Sequence, residues 1–288
     1  MIEFFLTYQP VLDHGLLSLG FAFSQWIVLR AGVFSVASAG LAAIGGYAAA
    51  LLHLDAGLSP WLTVPIGSCL GGFFGIALAW PLARLRGVYQ AIASLAFVQI
   101  VLSLNLYAEG ITRGALGVDS IPKLVGTPLL LLLSAGLIYL MHCVNTYRLG
   151  RTFETVRQDE AVANSLGIST IHFQTIAFAV GGVIAGLYGG LTAFHGYHLD
   201  PQQFGFEFLV AALSFVILGG RRTVIGPVIG TAVLVILPEL SREFGEFRQL
   251  GYGLILMLVI AFLPQGIADS YLSWRRKRQL AQRYQEVA

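Results

Sequence analysis

The chain has 288 residues, 56% of them hydrophobic and only 11% charged, with a mean hydropathy of +0.76. Its 17 basic and 15 acidic residues leave a net charge of +2. The basic residues sit in short clusters between apolar runs and not on one face of a soluble fold, which argues against nucleic-acid binding. The length suits a single transmembrane domain over 1–288, with no soluble domain beside it.

Apolar runs of about 20 residues recur, each long enough to cross a hydrocarbon core of about 30 Å. The basic residues alternate loop by loop. Arg30, Arg84, Arg86, Arg148, Arg151, Arg157, Arg221, Arg222 and the tail Arg275–Arg283 fall on one side; Arg113, Lys123, Arg242 and Arg248 fall on the other. The positive-inside rule places the first set in the cytoplasm. Residues 1–10 lack a basic n-region and a small-residue cleavage site, so the first span is expected to direct insertion.

The expected fold is an all-α membrane protein, a polytopic bundle of about nine spans (eight to ten), with the N-terminus outside and the C-terminus cytoplasmic. In chain order the spans cover about 11–29, 33–52, 61–83, 88–107, 128–147, 170–194, 207–219, 223–238 and 250–268. The inside segment 148–169 separates the fifth and sixth spans, and a basic tail, 271–288, closes the chain. Short broken helices are expected around 207–238, where one run is short and the next carries Gly226-Pro227 and Gly230. Such segments either line a cavity or are ordinary tilted or kinked spans.

Gly67, Gly71 and Gly75 recur every fourth residue on the third span, and Gly182, Gly186 and Gly190 on the sixth. This spacing puts small residues on one helical face, where another backbone can approach closely. It serves plain helix packing or a packed helix that moves as a unit.

No enzyme constellation, metal-ligand cluster or catalytic residue can be named. The two cysteines, Cys69 and Cys143, lie inside apolar runs, so a structural disulfide is not expected. No G-x-x-x-x-G-K-[ST] motif is present, so no P-loop cradles nucleotide phosphates. The span residues Gln25, Gln90, Ser94, Gln99, Ser103 and Asn105 are polar but uncharged. They either touch a polar solute or water in a translocation path, or form interhelical hydrogen bonds. The lack of deep acidic groups weakens a proton-coupled carrier.

The segment 148–169 is long enough to carry its own helix. Phe153, Val156, Ala163 and Leu166 fit one apolar stripe, with Arg157, Asp159 and Glu160 on the more polar part and Gly167 as a helix stop. A short amphipathic helix there either docks a cytoplasmic partner or rests on the membrane. Its mixed charge favours docking.

The run Arg157-Gln158-Asp159-Glu160-Ala161-Val162-Ala163-Asn164-Ser165-Leu166-Gly167-Ile168 resembles the cytoplasmic coupling loop of ABC-importer permeases. It is most similar to the branched-chain (hydrophobic) amino acid permeases, in the longer of their two paired subunit types. Leu85–Phe97 resembles the family's LRGxYxAIxTLAF stretch. Ser214–Gly230, with Leu218-Gly219-Gly220 and Ile225-Gly226-Pro227, resembles its xxxLGGxGxxxGPxxGA stretch. Leu263-Pro264-Gln265-Gly266-Ile267 resembles its closing xPxGL. There are departures. Glu160-Ala161-Val162 precedes Gly167 by one residue more than in the general importer signature. Ala31–Ala43 lacks the Gln and His of the family's GxxGQLSLGHAAF stretch, and Arg113 intrudes into its TGGxxGL loop.

The resemblance implies a permease subunit of an ATP-binding-cassette importer for branched-chain or other small hydrophobic amino acids, multi-pass in the bacterial inner membrane. It implies that Phe153, Arg157, Asp159, Glu160, Ala161, Leu166 and Gly167 couple to the ATPases. The implied partners are two cytoplasmic ABC ATPases, a second related permease and an extracytoplasmic solute-binding protein. ATP and Mg are used by the ATPases, and no cofactor is bound by this chain. The same importer type for urea, amides or other small organic solutes is an alternative, as is a stand-alone carrier or channel.

Overall fold

Backbone polar groups in a hydrocarbon must be satisfied within the segment or within a closed barrel. Apolar runs of this length therefore become helices. The computed structural model describes residues 2–240 and, beyond them, 253, 257, 266–272, 275 and 278. Within residues 2–240 there are eleven α-helices: α1 (Ile2–Arg30), α2 (Ser38–Ala56), α3 (Pro60–Leu82), α4 (Val88–Tyr107), α5 (Glu109–Thr112), α6 (Thr127–Thr146), α7 (Arg148–Gln158), α8 (Glu160–Ser165), α9 (Thr170–His195), α10 (Phe206–Gly219) and α11 (Ile225–Leu240). Among the described residues the β structure is one isolated bridge, Val118 to Leu199.

Seven of these helices are long and apolar enough to cross a membrane, counting the turn at Pro201 with α10. The shorter α11 is apolar too. This is an all-α, multi-pass architecture. The ninth expected span, about 250–268, and most of the tail lie outside the described residues.

Three expectations need correcting. First, the second span does not begin near residue 33. Val33–Val36 has no regular secondary structure and α2 starts at Ser38. Second, Gly226-Pro227 and Gly230 do not break α11. Pro227 stands in the first turn, where a missing N–H removes no intrahelical bond. Gly230 lies against the Phe215 carbonyl and Gly219 against that of Gly226, so these glycines close the α10–α11 hairpin. Third, 148–169 is not one helix but two, α7 and α8, broken at Asp159.

The chain divides into two compact units, Met1–Leu213 and Ser214–Ala288. In the first, α9 is the central helix and packs against α1, α2 and α3. Its glycines explain how. A methyl on Gly186 would stand 2.6 Å from the Gly67 carbonyl oxygen of α3, and one on Gly182 would overlap the Gly71 carbonyl. Gly75 faces the Phe178 carbonyl, and Gly190 lies against Val64 and Ala49. On α2, a methyl on Gly46 would stand 3.0 Å from the Gly189 carbonyl oxygen, and one on Gly45 would overlap the Gly186 backbone. Backbones therefore touch on two sides of α9, which gives van der Waals packing where lipid supplies no hydrophobic driving force. Trp26, Phe23, Phe178, Tyr188 and Phe194 fill the remaining core.

In the second unit, Asp269 is buried and holds the loop between α10 and α11. Its carboxylate accepts from the Arg222 N–H at 2.9 Å and from the Thr223 hydroxyl at 3.1 Å.

Candidate functional site

The end of the first unit that carries Arg30, Arg86 and Arg157 is built around α7. This helix is amphipathic. Phe153 and Val156 are buried, and Phe153 meets Phe173 of α9 edge to face. Glu154 pairs with Arg30 at the end of α1 and, at 2.6 Å, with Arg157 one turn on. Asn145 of α6 takes the second Arg30 nitrogen at 2.9 Å. Burial pushes the Glu154 carboxyl up, but hydrogen bonds from Arg157 and Gln158 and the charges of Arg30 and Arg157 outweigh it. The group is held below the ordinary carboxylate value. Arg157 thus turns inward and does not sit on an open polar face.

Asp159 breaks the helix and restarts it. Its backbone is extended, and its side chain accepts from the N–H groups of Ala161 at 2.8 Å and Val162 at 3.1 Å, which is an N-cap. Only Ala163 of α8 is buried. Glu160 reaches Gln174 of α9 at 3.3 Å and Arg86 at 3.8 Å. Asn164 accepts from the Thr170 hydroxyl at 2.9 Å, and Gly167 turns the chain in a left-handed conformation, φ +79. Leu166 does not join the apolar stripe. It is 67% exposed, and Val162 is 50% exposed. The result is a short capped helix, tied to α9 through Gln174 and to the turn before α4 through Arg86, with two apolar side chains, Val162 and the C-cap Leu166, exposed.

The polar span residues divide by position. Gln90, Ser94 and Asn105 share the buried face of α4, whereas Gln99 and Ser103 lie on its exposed face. There they line an open groove with Ile100, Leu104, Tyr107 and Ala108. Gln90 reaches the Leu82 carbonyl at 3.4 Å. The Asn105 carbonyl accepts from Thr112 at 2.8 Å. Gln25 lies away from α4's exposed face: it accepts from Ser38 at 2.8 Å and donates to the Ser35 carbonyl. Ser94 accepts the Val36 N–H at 3.0 Å. Ser35 and Ser38 were not singled out in the sequence, and neither was Glu154. The available signal for Glu154 was its i, i+3 spacing from Arg157.

At the opposite end, His198 meets Asp119 at 2.5 Å and Arg113 meets Asp55 at 3.1 Å. Arg113 takes a left-handed backbone, φ 64, at a position where the family motif carries glycine.

A multi-pass helical bundle with a capped, partly detached helix at its basic end is the class of protein these features define. The profile described as "Branched-chain amino acid transport system / permease component" matches residues 1–263, and the chain belongs to that family. It is 30% identical over 275 residues to the high-affinity branched-chain amino acid transport system permease protein LivM of Escherichia coli, covering 84% of this chain and 65% of that protein. The chain therefore spans just under two thirds of that relative's length. It is 30% identical over 123 residues to LivH of Escherichia coli, covering 42% of this chain and 39% of the relative. It is 25% identical over 229 residues to the autoinducer 2 import system permease protein LsrC of Photorhabdus laumondii, covering 73% and 67%. No solved structure matches.

Proposed function

We propose that this chain is a membrane-spanning subunit of an ABC importer for branched-chain or other small hydrophobic amino acids. It would form half of the translocation path in a bacterial plasma membrane, with 148–169 facing the cytoplasm. The carrying observation is α8 and its C-cap: Val162 and Leu166 project outward while Glu160 reaches Arg86, in the turn before α4, and Gln174 of α9. An apolar knob on a braced helix suits insertion into a groove of a cytoplasmic ATPase. Two ATPases, a second related permease and an extracytoplasmic binding protein complete this reading. Nucleotide and Mg would be held by the ATPases, since the sequence has no P-loop. Gln99 and Ser103 add a second support. Polar side chains on the exposed face of a span avoid lipid and face a cavity or protein.

The test is purification of the tagged chain from its native membrane in gentle detergent, with mass spectrometry of what accompanies it. P-loop ATPases and a second polytopic protein are expected, and Glu160→Arg should loosen the ATPases. Recovery of the chain alone, with ATP-independent solute flux in liposomes, would overturn the reading in favour of a stand-alone carrier. The similarity to LsrC favours a second reading of the solute alone, namely a small organic molecule other than an amino acid. Competition for uptake by leucine separates the two.

A further inference from the structure

Between α1 and α2 the chain does not turn at the basic end and climb back as helix. Two neighbouring helices measure how deep the irregular stretch lies. Gln25 stands five residues inside the end of α1, about 7.5 Å at 1.5 Å per residue. It donates to the Ser35 carbonyl and accepts from the Ser38 hydroxyl. Ser94 stands six residues inside the start of α4, about 9 Å, and accepts the Val36 N–H at 3.0 Å. Ser35 Oγ takes the Ala37 N–H at 3.2 Å. Residues 33–37 are therefore non-helical backbone well inside the level of the spans, with polar atoms held by side chains of α1, α4 and the segment itself.

Irregular backbone at such depth is tolerated where it is packed in protein or faces a water-filled cavity, and not where it faces lipid. Ser35, Val36 and Ala37 are buried, but Phe34 is 40% exposed. Its open face is then a face toward water or a partner. The stretch is also joined to α7. Gly32, at φ +85, lies so close to α7 that a Cβ on it would stand 3.1 Å from the Arg157 Cα. Arg30, two residues earlier, is paired to Glu154 of the same helix. A displacement of α7 reaches Phe34 through a few residues of non-helical chain, with no helix between to absorb it.

We propose that residues 33–37 form a gate of the solute path, that Phe34 is the side chain the solute passes, and that α7 drives the gate through Gly32. The proposal rests on reading the chain as an importer subunit coupled through 148–169. Gln25 and Ser94 are positioning residues: they fix the segment and do not touch the solute. The gate presents an aromatic and no charge, which suits a solute with an apolar side chain.

The experiment uses the assembled importer in liposomes, in a Cys69→Ser, Cys143→Ser background, with Phe34→Cys. Modification by a charged, water-soluble thiol reagent is followed without nucleotide and with a trapped ATP state. Phe73→Cys, at mid-helix on the exposed face of α3, is the comparison position. Phe34→Cys is expected to react severalfold faster than Phe73→Cys, and its rate should change severalfold between nucleotide states. Gln25→Leu, added to it, should remove the nucleotide dependence. With the ATPases present in the sample, a rate as low as that of Phe73→Cys, or one equal in both states, overturns the gate. A sample that never holds ATPases overturns the importer reading instead. Phe34→Ala supplies an independent readout: a solute leak without ATP is expected, and wild-type tightness opposes the proposal.

Discussion

Arg30, the last residue of α1, and Glu154, in the middle of α7, form an ion pair across 124 positions of sequence. Arg30 is largely buried and its second nitrogen is held by Asn145. The pair therefore fixes α7 to two spans at once, α1 directly and α6 through Asn145. A helix resting on the surface by its apolar stripe alone would slide. With this pair it moves only if α1 and α6 follow.

Glu154→Gln should loosen that link. Arg30 would keep Asn145 but lose its counter-charge, and truncating one partner of a sheltered pair is costly because the other remains. A lower melting temperature is expected in detergent, together with ATP hydrolysis that no longer tracks uptake. The pH dependence has a definite sign. The folded carboxyl lies below its ordinary value, because the Arg157, Gln158 and Arg30 interactions outweigh burial. Its contribution is full above that unfolded value and is lost as pH falls through the lower folded one. Melting temperature against pH should show an acid loss in the wild type that is smaller in Glu154→Gln. Parallel curves would remove Glu154 from the account.

The glycine contacts give a prediction about stability with a direction for each position. Gly71→Ala puts a methyl into the Gly182 carbonyl, and Gly182→Ala puts one into that of Gly71. Backbone cannot rotate away as a side chain can, so each should destabilise by about 1–3 kcal/mol or more, as overpacking does. Gly136, with nothing near its absent side chain, should accept Ala without loss. Thermal unfolding followed by size-exclusion recovery checks the contrast. Equal behaviour of Gly71→Ala and Gly136→Ala would show that α3 and α9 do not meet through these carbonyls.

Much of this was legible in the sequence, and the reason lies in the solvent. Hydrocarbon allows helices only, so the ends of α4 at Val88 and Tyr107 follow from the apolar run and its flanks. The four-residue glycine spacing fixed which faces of α3 and α9 are small, but not that they meet each other, which depends on contacts between distant segments. The 148–169 stripe succeeded at Phe153, Val156 and Ala163 and failed at Leu166. The reason is Asp159: an N-cap resets the helical phase, so one periodicity cannot run through it. The start of α2 failed for a related reason. Hydropathy sees Val33 to Ala37 as apolar and helical, while the side chains that hold this stretch out of the helix, Gln25 and Ser94, come from other helices.

The Asp159 cap carries a prediction of its own. Asp159→Ala removes the acceptor for the Ala161 and Val162 N–H groups. Losing such a cap costs about 1 kcal/mol, whereas Asn retains it. In a helix of 6 residues that loss melts most of the element. Asp159→Ala should release ATPases during purification, and Asp159→Asn should keep them. If Asn fails as badly as Ala, the carboxylate charge and not the cap is what the partner needs.

Asp269 offers the same kind of test in the second unit. Gly220, at φ +115, folds the loop back so closely that a methyl on it would stand 2.8 Å from the Asp269 carboxyl carbon. The carboxylate then takes the Arg222 N–H and the Thr223 hydroxyl, leaving the Arg221 and Arg222 side chains exposed. Asp269→Ala strands a backbone donor and a hydroxyl, at about 1–3 kcal/mol for each group that stays buried and unsatisfied. The loop should open before the helices do. Trypsin added to membrane vesicles of both orientations reads this when cleavage after Arg221 and Arg222 is followed by mass spectrometry of the new termini: slow cleavage at these two sites is expected in the wild type and fast cleavage in Asp269→Ala. Thr223→Val, which removes one of the two bonds, should fall between them. Equal cleavage in all three would mean that the glycines alone set the loop and that the buried carboxylate does not.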